Sequence, residues 1–267
     1  MTEPAFGDLT PSSGEMRWRA RAHRLPYNYW GRKAASLMLG LAGGRSGRAF
    51  DVTVFESQKA RLHPADNICE KRVYMTPQHW DPAERALLAR AIRASAAKEF
   101  LFADIGSNVG LYTLFARSEC LGADKRLRAL CVEADPEMRR RLDFNLRVSD
   151  AEGDVHAFSC AAAARDGEMR FHVNLNSRGM SRLDDAGESR VEARTIRRIL
   201  TEAGFPRVDA MKIDIEGAEY DALEAFFSDA PRSLRPAMLI IETSHETPAK
   251  SAARLALDCG YELALQT

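Results

Sequence analysis

The sequence predicts an α/β fold: a mostly parallel, doubly wound sheet with helices on both faces. Three observations carry that expectation. From about residue 100 onward, short apolar runs alternate with helical patterns. The runs are near-continuously apolar, as strands buried on both faces must be. Glycines and carboxylates gather where the runs end, and ligands of open α/β sheets bind beyond the carboxyl ends of the strands.

Residues 1–48 are Arg-rich and punctuated by Pro and Gly, and read as an extension or loosely packed helical cap ahead of a domain at 49–267. Short strands are expected at Asp51–Phe55 and, after a polar stretch, at Arg72–Met75. Asp81-Pro82-Ala83-Glu84 is a helix start, with Asp at the cap and Pro at the first position, and the helix should run to about Ala97. The series then continues with a strand Phe100–Ile105, a helix Gly110–Glu119, a strand Arg128–Glu133 and a helix Pro136–Val148. Val155–Ala161 is a third strand, Glu168–Val173 and Arg190–Ala193 an added pair, and Thr195–Ala203 a helix. Strand Ala210–Ile215, helix Ala218–Phe227, strand Ala237–Glu242, helix Pro248–Cys259 and a last strand Tyr261–Leu265 complete the pattern.

Composition narrows the function classes. The 267 residues are 45% hydrophobic and 28% charged, with a formal net charge of zero, so no global field draws the chain to nucleic acid. Charge is unevenly placed: Met16–Phe50 holds eight Arg/Lys and no Asp or Glu. Five scattered cysteines (Cys69, Cys120, Cys131, Cys160, Cys259) show no metal-ligand spacing and read as reduced thiols of a cytoplasmic protein. The first fifteen residues lack the apolar core of a secretory signal. The apolar run Ala34–Ala42 is too short to span a bilayer and suits a helix packed on its own protein or lying on a membrane.

The first motif, Asp104-Ile-Gly106-Ser107-Asn108-Val-Gly110, closes a strand with two glycines, where backbone can turn sharply and approach a ligand. Its G-x-x-x-G spacing lacks the third glycine of a dinucleotide fingerprint, with Leu111 and Tyr112 following Gly110, which argues against a nicotinamide-dependent oxidoreductase. The second motif, Val132-Glu133-Ala134-Asp135-Pro136, sets a carboxylate beside that turn. Asp135 suits the cap of the next helix, leaving Glu133 for the hydroxyls of a ribose. A ribose-binding acid without a pyrophosphate cradle favours an adenosine lacking a diphosphate. In the third motif, Lys212-Ile213-Asp214-Ile215-Glu216-Gly217-Ala218-Glu219, period-2 alternation points Lys212, Asp214 and Glu216 to one side. The next strand brings Glu242 and His245 to the same rim.

DIGSNVGLYT (104–113), VEADP (132–136) with Asn145, and KIDIEGAE (212–219) with IIET (240–243) together resemble the FkbM family of S-adenosylmethionine (SAM)-dependent methyltransferases, over about residues 70–265. The resemblance implies a Rossmann-like class I methyltransferase fold, SAM as donor, and O-methylation of a sugar, polyketide or other natural-product or glycan acceptor. It sets Asp104, Gly106, Asn108 and Gly110 along the methionine part of SAM and Glu133 at its ribose, with Ser107 and Ala134 also on the cofactor. Ser159, Cys160 and Ala161 would lie near adenine, and Asp214 where methionine and acceptor meet. The family usually continues into a final antiparallel strand beyond Tyr261–Leu265, so either that strand is missing or another segment covers the sheet edge.

Transfer to a hydroxyl benefits from a base, for which Asp214, Glu216, Glu242 and His245 are the candidates; histidine is the type that ordinarily titrates nearest neutrality. Asp214 and Glu242 could share a magnesium-type cation, although no spacing requires one. Asn174–Ser181 suits either an acceptor contact or a hairpin connection. A non-catalytic scaffold or an N-methyltransferase remain the alternatives. Nucleic acid is not the expected partner, for lack of a base-flipping motif. The basic segment 16–50 reads instead as a lid, a homodimer arm, or a patch for an anionic acceptor or membrane surface.

Overall fold

The computed structural model describes residues 3–172, 174, 182–183, 187 and 189–267. Helices α1 (Ser13–Ala22) and α2 (Tyr29–Leu41) precede an antiparallel hairpin of β1 (Phe50–Val54) and β2 (Gln58–Leu62). Helices α3 (Ile68–Met75) and α4 (Pro82–Ala94) lead into the main sheet, built from β3 (Glu99–Ile105), β4 (Arg126–Val132), β5 (Val155–Phe158), β10 (Ala210–Ile213) and β11 (Met238–Ile241). These five strands are parallel in the order β11-β10-β3-β4-β5, so the chain steps outward from β3 in both directions and leaves a switch point between β3 and β10.

Alternation along β3 explains why both faces are covered. Phe100 and Phe102 enter one core with α4, α5 (Leu111–Gly122), α6 (Pro136–Val148) and the N-terminal elements, where Ala22 and Ala42 are fully buried. Leu101, Ala103 and Ile105 enter the other, with α7 (Ile196–Glu202), α8 (Glu219–Asp229) and α9 (Ala252–Asp258). A smaller sheet of β6 (Ala161–Ala162), β9 (Ser189–Arg194), β7 (Gly167–His172) and β8 (Arg182–Leu183) follows β5. The expected strand pair is its β7–β9 ladder, antiparallel from Gly167↔Ala193 to Phe171↔Ser189. The expected strand Val155–Ala161 divides at Ser159–Cys160: β5 pairs with β4, whereas β6 pairs with β9.

Four local expectations change. Arg72–Met75 is the end of helix α3, because the Asn67 side chain caps it by accepting from the amides of Cys69 and Glu70 at 3.0 and 3.2 Å. Asp81 does not cap α4 with its side chain; it adopts a left-handed backbone (φ 40°) and accepts from the Tyr112 hydroxyl at 3.0 Å. The last helix begins at Ala252, since residues 247–250 form a tight bridge and Ser251 supplies the cap. Residues 261–265 form no strand: after Gly260 (φ 93°) the Tyr261 hydroxyl donates to the Pro236 carbonyl at 2.7 Å, and Thr267 reaches Glu84 on α4. Among the described residues β11 therefore remains the sheet edge.

Candidate active site

The ends of β3, β4 and β10 converge on one cleft. Gly106 (φ 77°) closes the convergence. Its amide and that of Ser107 both donate to the Val132 carbonyl at 2.9 Å, while the Asp214 amide donates to the Ile105 carbonyl at 3.0 Å. Three non-glycine residues in the left-handed region, Asp81, Asn108 and Glu216, line this cleft. Such strain persists only where surrounding structure enforces it, and it clusters at functional sites.

Asp104 and Lys212 are register partners on adjacent strands, so their side chains share a face. Asp104 is fully buried; its Oδ2 accepts from the Thr113 hydroxyl at 2.8 Å, and its Oδ1 has no partner among the described residues. Burial raises its pKa, opposed by the nearby Lys212 ammonium. Lys212, itself buried, donates to Asp214 Oδ2 at 2.9 Å. Burial works against its charge, but Asp214 and Asp104 outweigh that and raise its pKa. Glu133 accepts from the Asn108 amide at 2.7 Å and the Asp135 amide at 2.8 Å. Burial nevertheless pushes its carboxyl up to about 7. Asp135 caps α6 as expected. Asn145 is internal stapling, accepting from the Arg61 amide and donating to the Val109 carbonyl.

A second cleft adjoins the first, and Glu216 lines both. One wall carries Arg165 and Arg170, which make no hydrogen bond or ion pair among the described residues. The α8 wall is already engaged: Lys250 meets Asp221 at 2.7 Å, and the Tyr220 hydroxyl meets Glu224 at 2.7 Å. At the rim, His245 Nε2 lies 2.8 Å from Glu216 Oε2. Burial, with Asp214 adding, raises the Glu216 pKa.

Of the residues singled out from sequence, Asp104, Gly106, Ser107, Asn108, Glu133, Ala134, Cys160, Ala161, Asp214 and Glu216 line the first cleft. Gly110 does not: it begins α5 at φ 82°, where a Cβ would meet Leu142 Cδ1 at 2.5 Å, and so serves packing. Ser159 is exposed in the bend between β5 and β6. His245 lines only the second cleft. Glu242 sits behind Asp214, and one oxygen from each of Asp214, Glu219 and Glu242 lies within 4.8 Å of the others. Glu242 accepts from the Ser244 amide, and its other oxygen is buried without a partner among the described residues; Glu219 is held by the amides of Ile215 and Gly217. Of the segment Asn174–Ser181, residues 175–181 lie outside the described residues.

A model of the Methyltransferase FkbM domain matches residues 104–263, which include the lining of the second cleft and all but Cys69, Trp80 and Asp81 of the first. The chain belongs to the FkbM methyltransferase family. The AMB antimetabolite synthetase AmbE of Pseudomonas aeruginosa is 24% identical over 189 residues, which cover 57% of this chain and 9% of that protein. The FkbM methyltransferase of Methylobacillus flagellatus KT superposes with a TM-score of 0.42 at 15% identity, covering 84% of this chain and 54% of that one. A SAM-dependent methyltransferase of Agrobacterium tumefaciens gives 0.43 at 8% identity, covering 75% and 55%. The sheet of this FkbM methyltransferase, with helices on both faces, is the Rossmann-like class I architecture.

The rest of the first cleft's wall went unread in the sequence. Cys69, Trp80 and Asp81 come from the segment before β3, and Tyr112 and Met138 from helix starts. The Asn67–Glu70 cap was the available signal for the first of these. Burial, with Asp214 adding, pushes the Cys69 thiol up to about 12, so it stays protonated and is no nucleophile at neutral pH.

Proposed function

We propose that this FkbM methyltransferase uses SAM to methylate a hydroxyl of an acceptor held in the second cleft. The observation that carries the reading is the His245–Glu216 pair at the rim the two clefts share. The first cleft fits the donor on its own chemistry: Asp104 Oδ1 and Trp80 Nε1, both in residues lining it, are buried without partners among the described residues and can take an ammonium and an acceptor group respectively. Glu133 is at hand for ribose hydroxyls, and Cys160 and Ala161 would border the adenine. SAM, when bound, supplies a methyl group on a positively charged sulfur.

With Glu216 ionised, His245 Nε2 carries the proton and donates to it, which leaves Nδ1 as the lone-pair nitrogen. That nitrogen would take the proton of the acceptor hydroxyl as the oxygen is methylated. Positioning accounts for most of the acceleration, up to about 7–11 kcal/mol for well-oriented reactants. The unengaged Arg165 and Arg170 favour an acceptor that carries an anionic group, such as an acidic sugar or a carboxylated natural product.

His245→Asn is expected to lower kcat about a hundredfold, with S-adenosylhomocysteine (SAH) affinity unchanged. The assay should use a panel of hydroxylated acids with radiolabelled SAM. Unchanged turnover in this variant would sink the assignment. The same assay in EDTA separates a second reading, in which a divalent cation on Asp214, Glu219 and Glu242 activates the hydroxyl. Chelation would then abolish turnover.

Donor binding should also depend on pH. The raised Glu133 pKa means that its contribution to folding is present at low pH and lost as pH rises through about 7, where the buried carboxyl ionises. Ribose hydroxyls bind the ionised form, so SAH affinity is expected to weaken by up to about tenfold per pH unit below 7 and to level off above 8. Calorimetric titration across that range, beside Glu133→Gln, reads this directly. An identical slope in the variant would assign the dependence to another group.

A further inference from the structure

Helix α2 presents an apolar stripe to solvent. Gly31 and Ala35 on its inner face are buried, and a Cβ on Gly31 would meet the Pro26 carbonyl oxygen at 2.0 Å, so the inner face is fixed against the chain before it. On the outer face Trp30, Leu37 and Leu41 are 76%, 79% and 55% exposed. Their spacing of seven and then four residues keeps them in one row along the helix. Tyr27 and Tyr29, also exposed, extend the apolar surface at its start.

The segment that carries the stripe is cationic. Arg17, Arg21, Arg24, Arg32, Lys33 and Arg45 are exposed, no acid occurs between Met16 and Phe50, and among the described residues only Arg48 of this segment has an acidic partner, Glu15. Lys33 follows Trp30 by three residues and so borders the stripe. No described helix is long and apolar enough to cross a membrane, and α2, at roughly 20 Å for its 13 residues, is suited only to lie flat.

We propose that the α2 face is a docking surface for an anionic lipid bilayer, with Trp30, Leu37 and Leu41 inserted at the headgroup–acyl boundary and the surrounding arginines and Lys33 on the headgroups. Charge complementarity selects this occupant. Exposed indole and phenol rings among bases suit an interface that is apolar on one side and wet and negative on the other. A second copy of the chain would instead bring like charge against like. The surface also adjoins the first cleft: the Tyr27 ring lies 5.2 Å from that of His79, His79 Nε2 is 2.9 Å from the Leu25 carbonyl, and the next two residues, Trp80 and Asp81, line the cleft. Docking there would hold the cleft wall close to acceptors displayed at a lipid surface.

Co-sedimentation of the full chain with phosphatidylglycerol-containing vesicles, beside pure phosphatidylcholine vesicles, tests the proposal without any methyl acceptor. Binding is expected only to the anionic vesicles and should fall steeply with salt. The Trp30 emission should shift to the blue, a shift absent in Trp30→Phe. Leu37→Glu and the pair Arg32→Glu/Lys33→Glu should each weaken binding at least tenfold while SAH binding stays unchanged, which shows that the variants fold. Equal binding to both vesicle types, no binding, or undiminished binding by Leu37→Glu would overturn it. So would a chain that is dimeric in solution and becomes monomeric with Leu37→Glu, which assigns the face to a second copy.

Discussion

Lys212→Met is expected to lower stability by about 3–5 kcal/mol at pH 8, the usual cost of removing one partner from a buried charge cluster. For a chain of this size that is roughly 6–20 °C in Tm. Methionine matches the lysine in length and stays apolar against the Tyr112 ring, over which the ammonium lies at 5.1 Å, so the loss is one of charge rather than of packing. Without the ammonium, Asp104 and Asp214 face each other at the end of a buried strand pair, with Thr113 as the only side-chain donor to Asp104 among the described residues. The sign with pH is fixed by Asp104. Burial already raises its pKa and Lys212 opposes that rise, so the variant raises it further. As an acid with a raised folded pKa, it contributes stability that is present at low pH and lost as pH rises. The deficit of the variant should therefore be largest at pH 8 and shrink as Asp104 protonates on acidification. SAH binding should weaken with it, because Asp214 loses the 2.9 Å contact that sets its rotamer. Thermal melts at pH 5.5 and 8 decide the matter; an equal deficit at both would mean that the lysine acts by packing alone.

How much of this could be read from the sequence depended on the range of the interactions. The strands β3, β4 and β10 were legible because burial on both faces leaves a continuous apolar run, and α6 because Asp135, Pro136 and a single apolar face lie within thirteen residues. The alternation at 212–214 was legible too: Lys212 and Asp214 line the cleft while Ile213 joins the opposite core. Helix α3 was not, since its register is held by Arg141 of α6, which meets Glu70 at 3.0 Å and Asp66 at 2.7 Å from more than seventy residues away. Tyr261–Leu265 has the alternation of a strand but no neighbour to pair with, and pattern alone cannot supply a partner. The second cleft escaped for the same reason: its walls, the segment 163–170 and helix α8, meet only through the fold, and its rim pair is 29 residues apart.

Gly106→Ala should cost donor binding more than any other single methyl group added to the chain, by over a hundredfold in SAH affinity. An added Cβ would lie 1.8 Å from the Asp214 carbonyl oxygen and 2.7 Å from its carbon, and both are backbone atoms with no rotamer to escape into. The backbone at φ 77° adds about 1–2 kcal/mol for any residue with a side chain. Overpacking adds about 1–3 kcal/mol. Together these amount to roughly 2–5 kcal/mol, or about 4–20 °C in Tm. The strand end cannot relax freely, because the Val132 carbonyl holds the amides of Gly106 and Ser107 and the Ile105 carbonyl holds that of Asp214. Displacing Asp214 to make room therefore moves the floor of the cleft and its lysine contact together. Gly122→Ala is the matched control: it closes α5 with nothing within 4 Å of the new methyl, and should be neutral or stabilise by up to about 1 kcal/mol. If Gly106→Ala binds SAH within twofold of the parent chain while Gly122→Ala behaves as stated, then the approach of β3 to β10 does not form the donor site. Loss of binding in a variant that still melts cooperatively would localise the donor to that contact.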